Sequence, residues 1–424
     1  MTDLVLVSAD GEEALVREVK RLIAFIDRVP DASLTDIAYT CSLGSGDSVV
    51  AIIASSTSAL RAKLISAVGR IGSVSGRIRD KSGVYYFRNR LLGPGGGKLA
   101  FVYPGVLSFY PDMLRDLAII HPECRDAFDE LEEAMKGNGE FSPSSFIFPP
   151  APYYRHDADI FKSGAYAQAL VSTCTACVAL TRLLSDYGLS PDGVVGFAGG
   201  DLAAMIKSGA AGDKLSRPSR VSMIRDIYGI VAKAVNHGGL PAVAMVSVLM
   251  RHPGEIDDLV KSFPPDKVAL VVDYSPRQKT YAVSADYEKT VLDAFAAAGV
   301  RAVKIALDRP FNTPLCESLV PVVRKFAKAW MKYKPVCEVY SCATAQKIPG
   351  GTRPAREDTA ARWARPIRLE ETVRQMFDDG YRVFVEVGPR GLSVAAICDT
   401  LRGQDFAFQL AFCNIAQAKV ELFF

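Results

Sequence analysis

The stretch Asp192–Ala211, DGVVGFAGGDLAAMIKSGAA, decides the fold of this chain. It predicts a buried strand that runs through a glycine-lined turn into an apolar helix. A nucleophile elbow, G-x-S-x-G, is a turn of this form that holds a strained serine above a sheet. Its five positions are occupied here by Gly196, Phe197, Ala198, Gly199 and Gly200. The glycines of an elbow are therefore present and its serine is absent, although a plain strand–turn–helix with glycines for close packing has the same pattern.

Composition narrows the possible classes of protein. With 424 residues, 49% of them hydrophobic, the chain can bury a large core, and its length predicts two or three domains. A net charge of +3, without a basic run interleaved with aromatic residues, argues against nucleic-acid binding. We expect no membrane association, because by inspection of the sequence no apolar segment reaches the roughly 18–20 residues of a membrane span. Nine scattered cysteines suit a reducing cytoplasm.

Two short motifs that suggest cofactor chemistry have simpler interpretations. Cys174 and Cys177 form a C-x-x-C inside a long apolar helical pattern, with no second cysteine or histidine pair nearby. We interpret them as core cysteines rather than as a redox or zinc site. The GPGGGK of residues 93–98 is followed by Leu99 instead of serine or threonine, and it precedes a strand, so it does not match a phosphate-binding loop. The sequence therefore predicts neither metal nor cofactor.

The order of the predicted elements indicates an α/β protein with several parts. Residues 1–82 alternate strand and helix and form a small α/β domain, and residues 83–97 are a connector. Residues 98–239 and 307–400 form the two halves of a large domain, in which the helix at 218–236 is predicted to be buried nearly all round and a later helix is capped at Thr313. Between these halves, residues 240–306 follow the ferredoxin-like order strand–helix–strand–strand–helix–strand. Residues 401–424 are a C-terminal tail.

Several motifs that lie far apart carry a family resemblance. They are AFVYPG at 100–105, YPDMLRDL at 110–117, VVGFAGGDLAA at 194–204, RPFNTPL at 309–315 and FVEVGPRGLS at 384–393, supported by DYSPRQ at 273–278 and RWARPIRLEETV at 362–373. In this order, residues 98–400 resemble the malonyl-CoA:acyl-carrier-protein transacylase family, in the form of the acyltransferase domains of modular polyketide and polyunsaturated-fatty-acid synthases. Residues 1–97 resemble the linker between a ketosynthase and such a domain.

The resemblance implies a fold, an activity and partners. The fold would be an α/β-hydrolase-like acyltransferase core with an inserted ferredoxin-like subdomain and an N-terminal α/β linker domain. In the family, the elbow serine takes an acyl group from coenzyme A and passes it to the phosphopantetheine thiol of an acyl carrier protein. A histidine serves as base and acid, and two backbone amides bind the oxyanion. The implied partners are a ketosynthase domain, a carrier protein and acyl-CoA.

The catalytic positions of the family are altered in this chain. The family's GHSxGE is replaced by residues 196–201, with Ala198 at the serine and Phe197 at the adjacent histidine. The base is expected in F-H-[ST]-P-L, where this chain has Asn312. The family's P-G-Q-G-S-Q aligns with residues 104–109, so both glutamines are lost. Asparagine does not relay a proton near neutral pH, and none of the four histidines falls at the base position.

The resemblance also assigns residues to the oxyanion site, to carboxylate binding and to the lining of the cleft. The oxyanion amides would be those of Gly199 and Val106. Arg225 falls where the family has an arginine for the malonyl carboxylate, although a structural Asp or Glu partner is the simpler interpretation. Phe197 and Phe109 are predicted to line the cleft, and if both point inward they would fill the space that a substrate needs. Ser108 and Cys316 border the same segments, and we interpret both as packing residues.

Three functions are compatible with these residues. The first is a catalytically inactive acyltransferase-like domain of a polyketide or fatty-acid synthase, which holds a linker, docks a carrier protein or binds an acyl group. The second is an active acyltransferase whose serine was replaced by Ala198 through engineering. The third is a stand-alone binding protein for coenzyme A or acyl chains, against which the linker-like residues 1–97 argue.

Overall fold

The computed structural model describes residues 2–72, 77–79, 82–87, 91–92, 96–139, 141–149, 165–212, 214–236, 240–404 and 406–410. The chain divides into two units, residues 1–96 and 97–424. Of the segments predicted from sequence, the loop over 141–161 and the tail over 401–424 lie partly outside the described residues. His156 and His237 also lie outside them.

The N-terminal unit is an antiparallel sheet covered by helices. Its elements are the strands β1 (Asp3–Ala9), β2 (Ser48–Ala54), β3 (Arg77–Arg79) and β4 (Val84–Phe87) and the helices α1 (Glu12–Arg28), α2 (Leu34–Ser42) and α3 (Thr57–Arg70). The strand order is β1-β2-β4-β3. Strand β4 corrects the sequence interpretation, because it lies in the predicted connector but pairs with β2.

The second unit is built on a six-stranded sheet. Its strands are β5 (Lys98–Tyr103), β6 (Gly193–Gly196), β11 (Glu338–Ser341), β12 (Gln346–Lys347), β14 (Tyr381–Glu386) and β15 (Ala407–Leu410). Their order across the sheet is β12-β11-β6-β5-β14-β15. All neighbours run parallel except β12, which pairs antiparallel with β11 at the edge. Parallel strands covered on both faces are expected to be apolar throughout, and β5 and β6 are buried almost completely.

Helices cover this sheet. They are α4 (Arg115–Ile120), α5 (Pro122–Met135), α6 (Pro143–Ile147), α7 (Tyr166–Asp186), α8 (Gly200–Lys207), α9 (Arg217–Asn236), α12 (Val320–Trp330), α13 (Thr352–Ala361), α14 (Leu369–Asp378) and α15 (Val394–Thr400). Among the described helices, α7 is the one long and apolar enough to span a membrane, which corrects the expectation that no segment reaches that length. Most of its apolar window (78%) is buried inside the protein, as in a core helix.

The insert forms a second sheet. Its elements are β7 (Val243–Leu249), α10 (Asp257–Lys261), β8 (Val268–Ser275), β9 (Gln278–Ser284), α11 (Glu288–Ala297) and β10 (Arg301–Lys304). The strand order β10-β7-β9-β8 is that of a ferredoxin-like sheet, and β13 (Ile367–Arg368) from the large part adds a parallel strand beside β8. The predicted α/β architecture, with its ferredoxin-like insert, is confirmed.

Two local predictions are corrected. Helix α9 is not buried all round, because Arg225, Asp226 and Gly229 are exposed on one face. Thr313 does precede a helical segment, the 3₁₀ turn Pro314–Leu319, but its hydroxyl caps no helix N–H. The hydroxyl instead donates to the carbonyl of Pro310 at 2.6 Å, so it stabilises the loop before the turn.

Gly200 makes the close approach between the elbow and β5 possible. A Cβ atom at Gly200 would lie 2.1 Å from the carbonyl oxygen of Tyr103 and 2.6 Å from that of Pro104. We therefore expect G200A to lower the free energy of unfolding by at least about 2 kcal/mol, since the obstructing atoms are backbone. Urea-induced unfolding monitored by circular dichroism measures the change.

The matched control is G229A in helix α9, where a Cβ atom meets nothing within 4 Å. Alanine is the better helix former, so this variant should be more stable by up to about 1 kcal/mol. Equal unfolding midpoints for the two variants would contradict the steric argument.

Candidate active site

Ala198 lies at the tip of a sharp turn between β6 and α8. Its φ of 49° places an alanine in the left-handed region, which is strained for a residue with a side chain. The turn is held by backbone bonds, from the amide of Phe197 to Tyr103 O at 3.1 Å and from the amide of Gly200 to Phe197 O at 3.1 Å. The main chain therefore has the geometry of a nucleophile elbow, with a methyl group where the elbow would present its nucleophile.

The two predicted oxyanion amides lie next to each other beside this methyl group. A Cβ atom built on Gly199 would be 3.9 Å from the amide nitrogen of Val106, and one built on Gly105 would be 2.8 Å from the Cβ of Ala198. Val106 begins a 3₁₀ turn and Gly199 precedes α8, so both amides are at positions where helical segments leave N–H groups unpaired. This is an arrangement that can bind an oxygen atom.

Asn312 occupies the predicted base position and is held rigidly. Its φ is 63°, and its amide nitrogen donates to the carbonyl of Trp363 at 3.0 Å. The side-chain Nδ2 donates to the carbonyl of Arg362 at 3.0 Å. A carboxamide in this position can donate and accept hydrogen bonds, but it takes up no proton near neutral pH.

A buried ion cluster supports the segment that holds Asn312. Arg362, whose side chain is 5% exposed, pairs with Asp201 at 2.5 Å and also with Asp358. Burial raises the pKa of Asp201 to about 7, and the neighbouring guanidinium opposes this rise. The cluster therefore links the first turn of α8, which follows the elbow, to the backbone carbonyl that orients Asn312.

Ala198 and Asn312 border one cavity between the large sheet and the ferredoxin-like sheet. The positions open to the centre of a water molecule occupy about 40 Å³. Most of the lining is apolar or aromatic: Gly105, Val106, Leu107, Tyr166, Phe197, Ala198, Met245, Val271, Val272, Tyr274, Ile305, Leu307, Phe311, Ile367 and Leu392. Since a single water needs about 10–15 Å³ by this measure, the cavity holds only a small group.

The two phenylalanines predicted to line the cleft have different locations. Phe197 borders the cavity, is 2% exposed, and contacts the ring of Tyr274 edge to face at 6.3 Å. Phe109 does not border it, which corrects that prediction. Its ring stacks on Phe146 at 4.8 Å instead, because the 3₁₀ turn at Val106–Ser108 directs the next side chain into the helical layer.

Arg225 also lies elsewhere. It is exposed on α9, its Nε donates to the carbonyl of Ala134 at 3.0 Å, and it borders a surface groove between α9 and α12. Arg225 therefore lies outside the cavity, and the prediction that it binds a carboxylate there is wrong. Residue spacing along a helix cannot tell which face of a long helix meets which neighbour.

Ser108, Cys316 and the C-x-x-C cysteines are packing residues. The hydroxyl of Ser108 donates to Gly105 O at 2.8 Å, and neither Ser108 nor Cys316 borders the cavity. The thiol of Cys316 contacts Pro310 O at 3.2 Å, and burial raises its pKa to about 11. Burial likewise raises the pKa of Cys174 to about 12, so this thiol is not a nucleophile at neutral pH.

Three polar residues of the cavity were not singled out from the sequence: Arg309, Thr280 and Tyr274. Arg309 belongs to the RPFNTPL motif and Tyr274 to DYSPRQ, but these motifs indicate no role for either side chain, and Thr280 in the middle of β9 has no motif signal. Burial raises the pKa of the Tyr274 hydroxyl to about 12, so it is not a base near neutral pH. Among the described residues, no histidine, cysteine, lysine or carboxylate borders the cavity.

Glu386 fixes one wall of the cavity. It is fully buried at the end of β14 and accepts hydrogen bonds from the amides of Leu392 and Ser393 at 2.9 and 2.8 Å. Burial raises its pKa to about 7, although these donors favour the charged form. Its bond to the amide of Leu392 holds that residue in the lining of the cavity that Ala198 also borders.

A parallel sheet with an elbow after β6 and a ferredoxin-like insert defines an acyltransferase fold. Residues 100–416 match the family model described as the acyl transferase domain, and residues 3–64 match a model described as CurL-like, PKS C-terminal. The chain therefore belongs to the acyl transferase domain family, in the form found in polyketide synthases.

Relatives and solved structures agree with this assignment. The 5-methyl-1-naphthoate synthase of Streptomyces sahachiroi is 24% identical over 398 residues, which are 93% of this chain and 20% of that protein. The 6-methylsalicylic acid synthase of Penicillium patulum is 26% identical over 328 residues, 76% of this chain and 17% of that protein. The chain thus spans about a fifth of the length of these relatives.

Two solved structures show the shared fold. The acyltransferase domain from module 8 of the salinomycin polyketide synthase has a TM-score of 0.74 and 19% identity, covering 96% of this chain and 90% of that domain. A malonyl-transacylase, solved in complex with its type II acyl-carrier protein, has a TM-score of 0.62 and 19% identity over 74% of this chain and 95% of that one.

Proposed function

We propose that this chain is a catalytically inactive acyltransferase domain of a polyketide synthase, which binds an acyl group or a carrier protein without transferring the group. One observation carries the proposal. The cavity at the elbow combines a methyl group at Ala198 with a carboxamide at Asn312, and its described lining holds no alternative pair of nucleophile and base. Acyl transfer through an enzyme ester needs both.

The backbone around this pair supports binding without turnover. The amides of Gly199 and Val106 remain beside Ala198, so a carbonyl or carboxylate oxygen could still be held there. Asn312 keeps one orienting bond, to Arg362 O, and therefore stays in place as a hydrogen-bonding group. The pocket therefore keeps hydrogen-bonding groups that could hold a ligand, but it has no nucleophile and no base to react with one.

The proposed partners are a ketosynthase domain and an acyl carrier protein, with acyl-CoA as a possible ligand. Residues 3–64 match a model from polyketide synthases, and a similar transacylase was solved with its carrier protein. Because the chain spans about a fifth of its relatives, such domains would adjoin it in a longer synthase. A cytoplasmic location, with free cysteines, belongs to the same proposal.

Intact-mass spectrometry tests the proposal. The protein is incubated with malonyl-CoA, acetyl-CoA and a longer acyl-CoA, and we expect its mass to stay unchanged. A malonyl-transacylase that has its serine, run in parallel, should gain one acyl group. An acyl adduct on this chain, or transfer to a carrier protein above the uncatalysed rate, would contradict the proposal.

The alternative is an active enzyme whose serine was replaced by Ala198. The intact elbow, with φ of 49° at Ala198, is compatible with it. Asn312 argues against it, because replacing a serine to trap an enzyme does not require a second change at the base.

A further inference from the structure

A surface groove lies between helices α9 and α12. It shares no lining residue with the cavity at the elbow. The positions open to the centre of a water molecule occupy about 600 Å³ in the groove, against about 40 Å³ in the cavity. The groove is therefore large enough to accept a segment of polypeptide, whereas the cavity holds only a small group.

The lining of the groove suits the apolar face of a helix. Leu319, Phe326 and Ala234 line it and are almost completely buried. Gly229 of α9 and Ala329 of α12 also line it and are exposed, and a Cβ atom at Gly229 would meet nothing within 4 Å. Because these two residues are small, the backbone of a third helix can come close to both walls. A helix that docks in a groove places apolar side chains at i, i+3, i+4 and i+7 against such a lining.

The groove is bordered by positive charge. Arg225, Lys233 and Lys325 line it and are exposed, and none of the three forms an ion pair within the described part of the chain. Arg225 donates to a backbone carbonyl, which leaves its charge uncompensated. Asp226 is the one acidic residue in the described lining, and its carboxylate accepts a hydrogen bond from Nε1 of Trp330 at 2.9 Å. The groove therefore carries more positive than negative charge.

The basic character continues along α12 and the segment after it. Residues 318–337 contain no acidic residue and five basic ones: Arg324, Lys325, Lys328, Lys332 and Lys334. The sequence thus does contain a basic run with interleaved aromatic residues, contrary to the expectation from composition. Its rings are already engaged, because Phe326 is 5% exposed and the ring of Tyr333 faces Nζ of Lys214 at 5.4 Å. An apolar groove with occupied rings favours an acidic protein segment over a nucleic acid, which needs free rings for stacking.

We propose that the groove between α9 and α12 is a docking site for an acidic amphipathic helix of another protein. The apolar face of that helix packs on Leu319 and Phe326. Carboxylates that flank this face pair with Arg225, Lys233 and Lys325. The inference goes beyond the proposed function, because it involves neither the elbow nor an acyl group.

Fluorescence anisotropy with the full chain tests the inference. The probe is a labelled, stapled helix of about four turns, with leucines along one face and glutamates on both sides of it. Two further probes carry glutamine or lysine in place of the glutamates. We expect the glutamate helix to bind at least about tenfold more tightly than the glutamine helix, and the lysine helix not to bind. Near 1 M salt, where charges act over only about 3 Å, most of this difference should vanish.

Variants of the groove separate charge from shape. We expect K325E to weaken binding of the glutamate helix about five- to twentyfold, because an attraction becomes a repulsion of similar size. A329W fills the groove without changing its charge and should weaken binding at least about fivefold. The matched control is K20E, which makes the same charge change at an exposed lysine of α1 and should leave the affinity unchanged. Circular dichroism shows whether each variant is folded.

Equal affinities for the glutamate and glutamine helices, or for the original protein and K325E, would overturn the inference. Unchanged binding in A329W would also overturn it, because charge alone would then hold the helix outside the groove. A labelled oligothymidylate is titrated in parallel. If it bound more tightly than the glutamate helix and lost affinity in K325E, this surface would belong to a nucleic acid instead. An acyl adduct in the intact-mass test would overturn catalytic inactivity and leave the docking site standing.

Discussion

The double variant A198S/N312H is expected to form an acyl-enzyme with malonyl-CoA, whereas A198S alone is not. A serine at position 198 would take over the elbow geometry, beside the amides of Gly199 and Val106. Without a base, however, its hydroxyl stays a poor nucleophile. In a serine protease the loss of nucleophile or base costs about 10⁶ in turnover, which sets the scale of the expected difference.

The site offers a histidine at position 312 the bond that it needs. Nδ2 of Asn312 donates to Arg362 O at 3.0 Å, and an imidazole could make the corresponding bond through Nδ1–H. Its other nitrogen would then be free to accept a proton from the serine. We expect acyl-enzyme formation in the double variant to be at least about 10³-fold faster than in A198S.

Quenched-flow intact-mass spectrometry measures these rates, with N312H alone as the control that should stay unmodified. Fast acylation of A198S without the second change would show that another base serves the site. That outcome would favour an engineered loss of the serine over a natural one.

The largest effect on stability is expected from R362M. Methionine has a similar length and no charge, so the variant leaves Asp201 and Asp358 buried without their counter-ion, with side chains that are 12% and 10% exposed. Breaking a buried ion pair from one side costs about 3–5 kcal/mol, and we expect a loss of that size in urea-induced unfolding. The loss should also disturb Asn312, which bonds to the backbone of Arg362.

The exposed pair Arg324–Glu357, with side chains 48% and 53% exposed, supplies the matched control. R324M removes the same kind of charge and should cost less than about 1 kcal/mol. If the two variants lost similar amounts of unfolding free energy, burial would not be the reason for the large effect of R362M.

The stability deficit of R362M should also depend on pH. Burial already raises the pKa of Asp201 to about 7, and Arg362 opposes this rise. Without the arginine the folded-state pKa of Asp201 lies further above the unfolded value of about 3.9, so stability present at low pH is lost as pH rises through this pKa. The deficit should therefore be larger at about pH 8 than at about pH 5.

The local structure of the elbow could be predicted from the sequence. The spacing of Gly196, Gly199 and Gly200 after two valines predicted the strand, the turn and the helix. Phe197, which the sequence predicted to line the cleft, borders the cavity. These inferences succeeded because they concern neighbours in the chain, whose geometry follows from local sterics. The ferredoxin-like insert was predictable for a similar reason, since the alternation of its elements is a local pattern.

Contacts between segments that are distant in the chain were harder to predict from the sequence. Arg225 was assigned to the cleft, but α9 turns it toward a surface groove, and Phe109 was directed into the cleft although it packs on Phe146. Arg309 belongs to a sequence motif, but it borders the cavity only because β9, the segment after β10 and the elbow come together there. Helical periodicity specifies a face, but it does not specify the partner of that face.

By itself, the sequence determined that the elbow carries alanine at position 198 and that asparagine stands at position 312, because side-chain chemistry is a property of each residue alone. Only the tertiary structure decided which charged and polar groups meet at that point. The assembly of two sheets and several loops sets the distances, the burial and the unsatisfied hydrogen bonds. A cavity with Arg309 and Thr280 on its wall is thus a property of the folded chain.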